Sequence, residues 1–169
     1  LIVNQGEDFV LYKLTANIFM DPGSSITTIT LNYYDDASGD PGSIIGSETL
    51  IPSSYTYLGN AFGFDINEVV LNLTPFTFSG QSSADSIYWI GLGNAVTSTA
   101  GLAYWETTTQ SVIGDSARGN HNGYWAHPNW ECVYEFEGAC ISLINAGCMD
   151  SLAYNYDPLA DTSDGSCCY

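Results

Sequence analysis

Basic residues are almost missing from this chain. Its 169 residues include only Lys13 and Arg118 against 19 acidic residues, which gives a formal net charge of -17. Binding to the phosphates of nucleic acid requires clustered lysine and arginine, and anionic membrane surfaces attract the same side chains. The composition therefore argues against a nucleic-acid partner and against membrane insertion. Such a surface instead attracts divalent cations, calcium among them.

Long hydrophobic runs and helical periodicity are missing as well. No apolar stretch is long enough to cross a bilayer. No signal-peptide pattern opens the chain, so we expect a mature product or an internal segment of a larger protein. Cysteine does not occur before Cys132, and all five cysteines lie from there onward. Clustered cysteines in an acidic, Ser/Thr-rich chain are typical of oxidising surroundings, so we expect an extracellular or cell-surface location.

The chain contains period-two alternation between turn residues. In Ser25–Tyr34 the alternation places Ile29 and Leu31 on the core face. Similar runs predict strands at Phe9–Met20, Ser43–Leu50, Val69–Leu73, Phe76–Phe78, Ser86–Leu92, Gly101–Thr107 and Cys132–Phe136. Short strands without crossover helices predict an all-β fold, an antiparallel β-sandwich of the jelly-roll kind.

The β pattern ends where the composition changes, over residues 139–146. We predict a β-sandwich module over 1–141 and a loop-rich Cys/Asp-rich module over 142–169. A segment as short as the second buries too little surface to fold unaided, so a disulfide or a metal is expected there.

The cysteines allow more than one pairing. Cys148 and Cys167 flank the acidic stretch GCMDSLAYNYDPLADTSDGSC and are predicted to close it as a disulfide. For a second bridge two pairings are open, Cys132 with Cys140 across the last strand and its turn, or Cys140 with Cys168. Either choice leaves one thiol for another chain, another repeat or no partner.

Two acidic loops are candidates for calcium, which prefers oxygen ligands. The first is the C-terminal loop, with Asp150, Asn155, Asp157, Asp161 and Asp164. The alternative there is that these side chains cap turns beside Pro158 and Gly165. The second is the segment DDASGDPG, with Asp35, Asp36 and Asp40, for which the alternative is a solvated acidic turn.

Three Tyr-Trp pairs suggest either core packing or a binding surface. Trp89 and Trp105 are expected in the sandwich core, with Tyr88 and Tyr104 bracing the outer face. The third pair lies in the polar segment NHNGYWAHPNW. That composition suits carbohydrate contacts, and the candidate ligand-binding residues are Tyr124, Trp125, His127, Asn129 and Trp130.

Catalytic motifs are missing: the chain has no G-x-S-x-G, H-E-x-x-H or phosphate-binding glycine loop. Glycoside hydrolysis requires only two carboxylates, and Glu106 and Glu131 are candidates. In a chain with 19 acidic residues, the presence of two candidate carboxylates is little evidence for a catalytic site. We therefore expect a protein that is not an enzyme, with a hydrolase as an alternative.

The C-terminal stretch resembles the Cys-rich GCTDPxAxNYxPxATxDDGSC repeat of secreted and surface proteins of Bacteroidetes. It departs from the repeat at Met149, Ser151 and Ser163. The matching positions are Gly147, Cys148, Asp150, Ala153, Asn155, Tyr156, Pro158, Ala160, Asp164, Gly165, Ser166 and Cys167.

Residues 1–140 also look like β-sandwich modules of such proteins, which are cargo of the type IX secretion route and often adhesins. The segments that carry this resemblance are Glu7-Asp8-Phe9, Tyr34–Gly42, Tyr88–Leu92 and Tyr104-Trp105-Glu106. The resemblance implies a non-catalytic module that acts in adhesion or in filament-like assembly, with neighbouring domains or copies of the protein as partners. The alternative is a carbohydrate-binding module of a polysaccharide-degrading enzyme, with a glycan as ligand.

Overall fold

A computed structural model describes residues 1–109, 117–121, 124–126 and 130–169, and for 119–121 and 124–126 it describes the backbone alone. The described residues contain no helix. In the same ranges, no helix is long and apolar enough to span a membrane. The strands are β1 Ile2–Val3, β2 Glu7–Met20, β3 Ile26–Asp36, β4 Pro41–Leu50, β5 Ser54–Ala61, β6 Phe64–Phe78, β7 Ser86–Thr97, β8 Ala103–Trp105, β9 Thr107–Thr108, β10 Gly119–His121, β11 Tyr124–Ala126, β12 Glu131–Cys132, β13 Tyr134–Ser142, β14 Ala146–Gly147 and β15 Thr162–Ser163.

Two main sheets organise these strands. One has the order β1-β7-β3-β4, and the other has the order β13-β2-β6-β5 with β8 added on β2. Strands β3 and β4, β3 and β7, and β5 and β6 pair antiparallel. Three two-stranded ladders complete the fold, namely β10-β11, β12-β9 and the parallel pair β14-β15. The predicted all-β, antiparallel fold with a disulfide-closed C-terminal segment is confirmed.

The sandwich core follows from alternation along the central strands. On β2, Leu14, Ala16, Ile18 and Met20 are buried, and the residues between them are partly exposed. On β3 the buried residues include Ile29 and Leu31, as the alternation predicts, together with Tyr33. Successive side chains on a strand point to opposite faces, so one face of each sheet supplies the core.

Tyr33 joins the two sheets. Its ring stacks on Phe76 of β6 with centroids 4.2 Å apart, and its hydroxyl donates to Glu48 Oε1 at 2.6 Å. The other carboxylate oxygen, Glu48 Oε2, accepts the amide of Thr74 at 3.2 Å. Burial, followed by the bond to this carboxylate, raises the pKa of Tyr33 far above its usual value, so the hydroxyl stays protonated.

Strand β5 and the length of β6 differ from the prediction. Residues 54–58 of β5 are all exposed, so β5 carries no burial alternation that the sequence pattern could reveal. The sequence predicts two short strands here, Val69–Leu73 and Phe76–Phe78, yet β6 is continuous from Phe64 to Phe78. The pairing with β5 ends at Val70, so β6 has an open side at Pro75, where a missing N–H is tolerated.

The chain forms two compact units. One consists of Leu1, Leu11–Phe76 and Ile87–Gly138, and the other of Ile2–Val10, Thr77–Ser86 and Ala139–Tyr169. Within the second unit, Leu143 donates its amide to Gly6 O at 2.8 Å, and Gly6 donates its own to Gln81 O at 2.7 Å. The C-terminal segment therefore packs with two other pieces of chain. The proposed division into 1–141 and 142–169 as separate modules stays a prediction.

A substitution at Gly46 would test the packing of Tyr33 on Phe76 between the two sheets. A Cβ at this position would lie 3.0 Å from Tyr33 Cδ2 and closer still to the ring of Phe76. We expect Gly46→Ala to lower the free energy of unfolding by about 1–3 kcal/mol, because the stacked rings would have to separate. Denaturant unfolding measures this change. Ser43→Ala, at an exposed position of the same strand, is the control with a change within about 0.5 kcal/mol.

Candidate functional site

The predicted disulfide closes the C-terminal loop. Cys148 and Cys167 are bonded with an S–S distance of 2.07 Å, and Cys148 is buried. Main-chain bonds hold the loop inside this link, among them Asp157 N to Cys148 O at 2.9 Å and Tyr154 N to Cys168 O at 2.9 Å. The loop thus has a defined backbone although little of it is buried.

Three of its aspartates accept the amide two residues ahead. Asp150 Oδ1 accepts from Leu152 N at 2.9 Å. Asp157 accepts from Leu159 N at 2.9 Å, and Asp164 accepts from Ser166 N at 2.8 Å. This is the local side-chain-to-backbone pattern that the turn-capping alternative predicts.

Asn155 and Asp161 make bonds of longer range in the same loop. Asn155 Oδ1 accepts from Cys168 N at 2.8 Å, and its amide group donates to Ser166 O at 2.8 Å. Asp161 Oδ1 accepts from Asn145 N at 3.0 Å. Among the described ranges, no group of three or more His, Cys, Asp or Glu side chains is arranged to hold a metal. Calcium binding by these five residues stays a prediction.

Two of these carboxyls have lowered pKa values. For Asp150 the main cause is the hydrogen bond from the Tyr169 hydroxyl at 2.5 Å, followed by the Leu152 amide. For Asp164 the cause is hydrogen bonding from Ser166. A lowered pKa in the folded state stabilises the fold above the ordinary aspartate pKa, and this contribution is lost as the pH falls through the folded value.

Acid should therefore loosen the C-terminal loop locally. We expect the amides of Leu152 and Ser166 to be protected from hydrogen exchange at pH 6 and to lose that protection below about pH 4, as their carboxylate acceptors become protonated. NMR-detected exchange measures both amides. The Cys168 amide is the internal control, because its acceptor Asn155 does not titrate. Simultaneous loss at Cys168, or no loss at the two test amides, would contradict local titration.

The second acidic loop is held by Arg118. The Nε atom of Arg118 donates to Asp40 Oδ1 at 2.8 Å, and Nη2 donates to Gly39 O at 2.7 Å. The guanidinium carbon lies 4.9 Å from the centroid of the Trp89 ring, and the Arg118 side chain is only 8% exposed. This geometry combines a cation–π contact with a charge-assisted bond.

The other two acids of this loop also have protein partners. Asp36 accepts the amide of Gly39, at 3.2 and 3.1 Å from its two oxygens, and Asp36 Oδ1 accepts Trp89 Nε1 at 2.9 Å. Asp35 accepts the amide of Ser43. The three acids thus belong to a hydrogen-bonded turn, and calcium binding by Asp35, Asp36 and Asp40 stays a prediction.

The two tryptophans expected in the core lie on different faces. Trp105 pairs with buried Ile18 and donates its indole N–H to Val133 O at 2.9 Å, so its core-facing orientation is confirmed. Trp89 pairs with Tyr34, whereas the buried Tyr33 pairs with Ile90. Trp89 therefore lies on the face away from the core, and its predicted core position is wrong because the register sets its face.

The predicted carbohydrate contacts fall mainly outside the described residues. His127 and Asn129 lie there entirely, and Tyr124 and Trp125 are described only by their backbone in β11, which pairs with β10. Trp130 is described, with a side chain that is 49% exposed, and its carbonyl accepts the amide of Ala117 at 2.8 Å.

No second disulfide is formed: Cys132, Cys140 and Cys168 are free thiols, which corrects both pairings considered for it, Cys132–Cys140 and Cys140–Cys168. Cys140 lies six positions along the continuous strand β13 from Tyr134, a length of about 20 Å at the strand rise. Disulfides require Cα atoms within about 7 Å of each other. Burial, and then the charge of Glu131, raise the pKa of the Cys132 thiol to about 12.

The two candidate catalytic carboxylates have local hydrogen-bond partners. Glu106 Oε2 accepts the side-chain amide of Asn17 at 2.8 Å. Glu131 Oε1 accepts the amide of Cys132 at 3.0 Å. Glu106 lies between β8 and β9, and Glu131 lies in β12. That the chain is not an enzyme stays a prediction.

The first unit contains an aromatic surface of which the sequence indicated only the outward-facing Tyr104. Tyr104 pairs with Phe19 across β8 and β2, on the face away from buried Ile18. Phe64 of β6 contacts both rings edge-on, with centroids 6.5 Å from Phe19 and 5.9 Å from Tyr104. Two exposed side chains each precede one of these rings by two positions in sequence, Leu102 before Tyr104 and Phe62 before Phe64. We call Phe19, Phe62, Phe64, Leu102 and Tyr104 the aromatic platform.

Hydrogen bonds link the turns around the aromatic platform. Asp65, beside the β5–β6 turn, accepts the amide of Gly23 in the β2–β3 turn at 2.9 Å. Asp21 in that same turn accepts the amide of Leu102, which precedes β8, at 3.1 Å. Three further hydrogen bonds join the β2–β3 turn to the β7–β8 loop. Ser98 and Ser25 donate their amides to Ser25 O and Ser98 Oγ, respectively, and the Thr99 hydroxyl donates to Ser24 Oγ. Three connections are thus held together, which preorganises the surface that they carry.

Phe62 is the most unusual residue of the aromatic platform. Ala61 pairs with Phe64, so Phe62 and Gly63 form a two-residue hairpin turn with φ values of 56° and 84°. Positive φ at both positions is typical of a type I′ turn, which favours asparagine, aspartate or glycine. Phe62 occupies this conformation with its side chain 93% exposed. The only sequence signal was an aromatic residue directly before the turn glycine.

In comparisons with known proteins, the chain matches no protein-family model, no curated protein and no solved structure. A functional assignment therefore depends on the geometry of its own residues, and the aromatic platform combines exposed side chains with turns that hydrogen bonds hold.

Proposed function

We propose that this chain is a non-catalytic extracellular module that acts in adhesion or structural assembly, and that the aromatic platform is its contact surface. The main observation behind this proposal is the backbone conformation and exposure of Phe62. A bulky residue with positive φ raises the energy of the folded state by about 1 kcal/mol or more. With its ring almost fully exposed, Phe62 gains little packing to offset that strain.

The rest of the molecule fits this proposal. The disulfide between Cys148 and Cys167 suits an oxidising, extracellular location. The bonded turns hold the exposed rings in place, so a partner would bind without first ordering loops. Partners in this function are neighbouring domains, copies of the same protein or other surface proteins, and the first two are those expected of a module of a larger bacterial surface or secreted protein of the type IX secretion class.

Phe62→Asn should separate binding from stability. Asparagine favours the turn conformation, so we expect the free energy of unfolding to stay equal or rise by up to about 1 kcal/mol. Binding should weaken at least tenfold, because the exposed ring is lost. We would measure unfolding by denaturant titration. Binding would be measured on a panel of cell surfaces, glycans and extracellular proteins.

The control for this experiment is Tyr154→Ser, which removes an equally exposed aromatic, 92% exposed, from the C-terminal loop. Its binding to the panel should equal that of the unaltered protein. The proposal fails if the unaltered protein binds nothing in the panel. It also fails if Phe62→Asn binds as tightly as the unaltered protein.

Carbohydrate binding is the second candidate, favoured by the exposure of Trp130 in the segment that also contains Tyr124, Trp125, His127 and Asn129. Indole rings stack on sugars, and an exposed tryptophan on a β-rich module suits that role. The glycan members of the same panel distinguish the two candidates. Glycan binding that is lost in Trp130→Ala and kept in Phe62→Asn supports the carbohydrate-binding module.

Calcium stabilisation is a further part of the proposal. The closed C-terminal loop contains several oxygen ligands, and an ion that binds only the folded state raises stability with its concentration. We expect the melting midpoint to be higher in millimolar calcium than in chelator. The shift should disappear in the double variant Asp157→Asn, Asp161→Asn. Superimposable melting curves of the unaltered protein in calcium and chelator would contradict calcium binding.

A further inference from the structure

We infer that the aromatic platform binds a cationic, arginine-bearing segment of another protein. This inference rests on the proposed function, since it names the partner of the same surface. The chemistry of the exposed rings, the charge balance of the chain and a contact of the same kind within the chain support it.

The exposed rings suit a cation as well as an apolar group. Tyr104 is 50% exposed, and Phe62 projects its ring from the hairpin turn. The faces of aromatic rings carry negative potential and attract guanidinium and ammonium groups. Asp21 and Asp65 lie in and beside the turns that frame the platform and add negative charge there.

The charge of the chain favours a different protein over a second copy as the partner of the aromatic platform. The chain has a formal net charge of -17, and its two basic side chains are already used internally. Lys13 pairs with Glu137, and Arg118 pairs with Asp40. A second copy therefore approaches as a like-charged body that brings no cation of its own, whereas a basic segment is attracted from a distance.

Arg118 shows within the same molecule how such a contact is built. Its guanidinium lies over the Trp89 ring and bonds to one aspartate and one main-chain carbonyl of a turn. The aromatic platform offers two of the same kinds of group, aromatic rings and turn aspartates. A partner arginine placed there would replace hydration by the contacts that Arg118 makes elsewhere.

The test uses the full chain and a fluorescent peptide of alternating arginine and serine, measured by fluorescence anisotropy at physiological salt. The matched control peptide contains citrulline, which keeps the shape of arginine and lacks its charge. We expect the arginine peptide to bind the unaltered protein and Tyr154→Ser equally. Phe62→Asn should bind it at least about fivefold more weakly, and the citrulline peptide should bind at least fivefold more weakly as well.

Several outcomes would overturn the inference. Equal binding of the arginine peptide to Phe62→Asn would show attraction to the acidic surface as a whole. Equal affinity for both peptides would remove the role of charge. Phe62-dependent binding to neutral phosphatidylcholine vesicles or Phe62-dependent dimerisation, without peptide binding, would assign the platform to a membrane or to a second copy. If the panel shows Phe62-dependent binding and the peptide does not bind, the partner class fails and the proposed function stands.

Discussion

The shortage of cations is the constraint on which this structure depends. With 19 acids and two basic residues, salt bridges can neutralise few of the carboxylates. Main-chain amides serve as the partners of many carboxylates in place of basic side chains. A carboxylate that accepts a hydrogen bond from an N–H group forms one of the stronger hydrogen bonds available to a protein. Acids that accept a main-chain amide include Asp8, Asp21, Asp35, Asp36, Glu48, Asp65, Asp85, Asp150, Asp157, Asp161 and Asp164.

This mode of bonding gives the connections definite shapes. Turns that contain little buried surface are held by side-chain oxygens in the C-terminal loop, in the turn beneath Arg118 and around the aromatic platform. The same oxygens are the ones that suggested calcium, so metal binding and turn capping compete for one set of ligands. The proposed contact surface depends on this framework, because Phe62 and Tyr104 are presented by turns that carboxylates hold.

Much of the fold was predictable from local pattern. The alternation in β3 identified Ile29 and Leu31 as core, and the cysteines flanking the acidic stretch indicated the bridge that forms. Strand β5 was not predictable, because residues 54–58 are all exposed and show no alternation of buried and exposed positions. The incorrect pairing of Cys132 with Cys140 has a related cause. Their closeness in sequence hides the length of an extended strand.

The sequence by itself determined the charge, the antiparallel β class, the core of the central strands and the closure of the C-terminal loop, since each depends on composition or on residues near one another along the chain. Only the tertiary structure decided that Trp89 faces away from the core and that Phe62 is exposed in a turn. Cross-strand register places Trp89 with Tyr34 and Tyr104 with Phe19, and it places Phe62 in the turn between paired Ala61 and Phe64. Register depends on contacts between distant segments, so the surface proposed for function arises only when the sheets assemble.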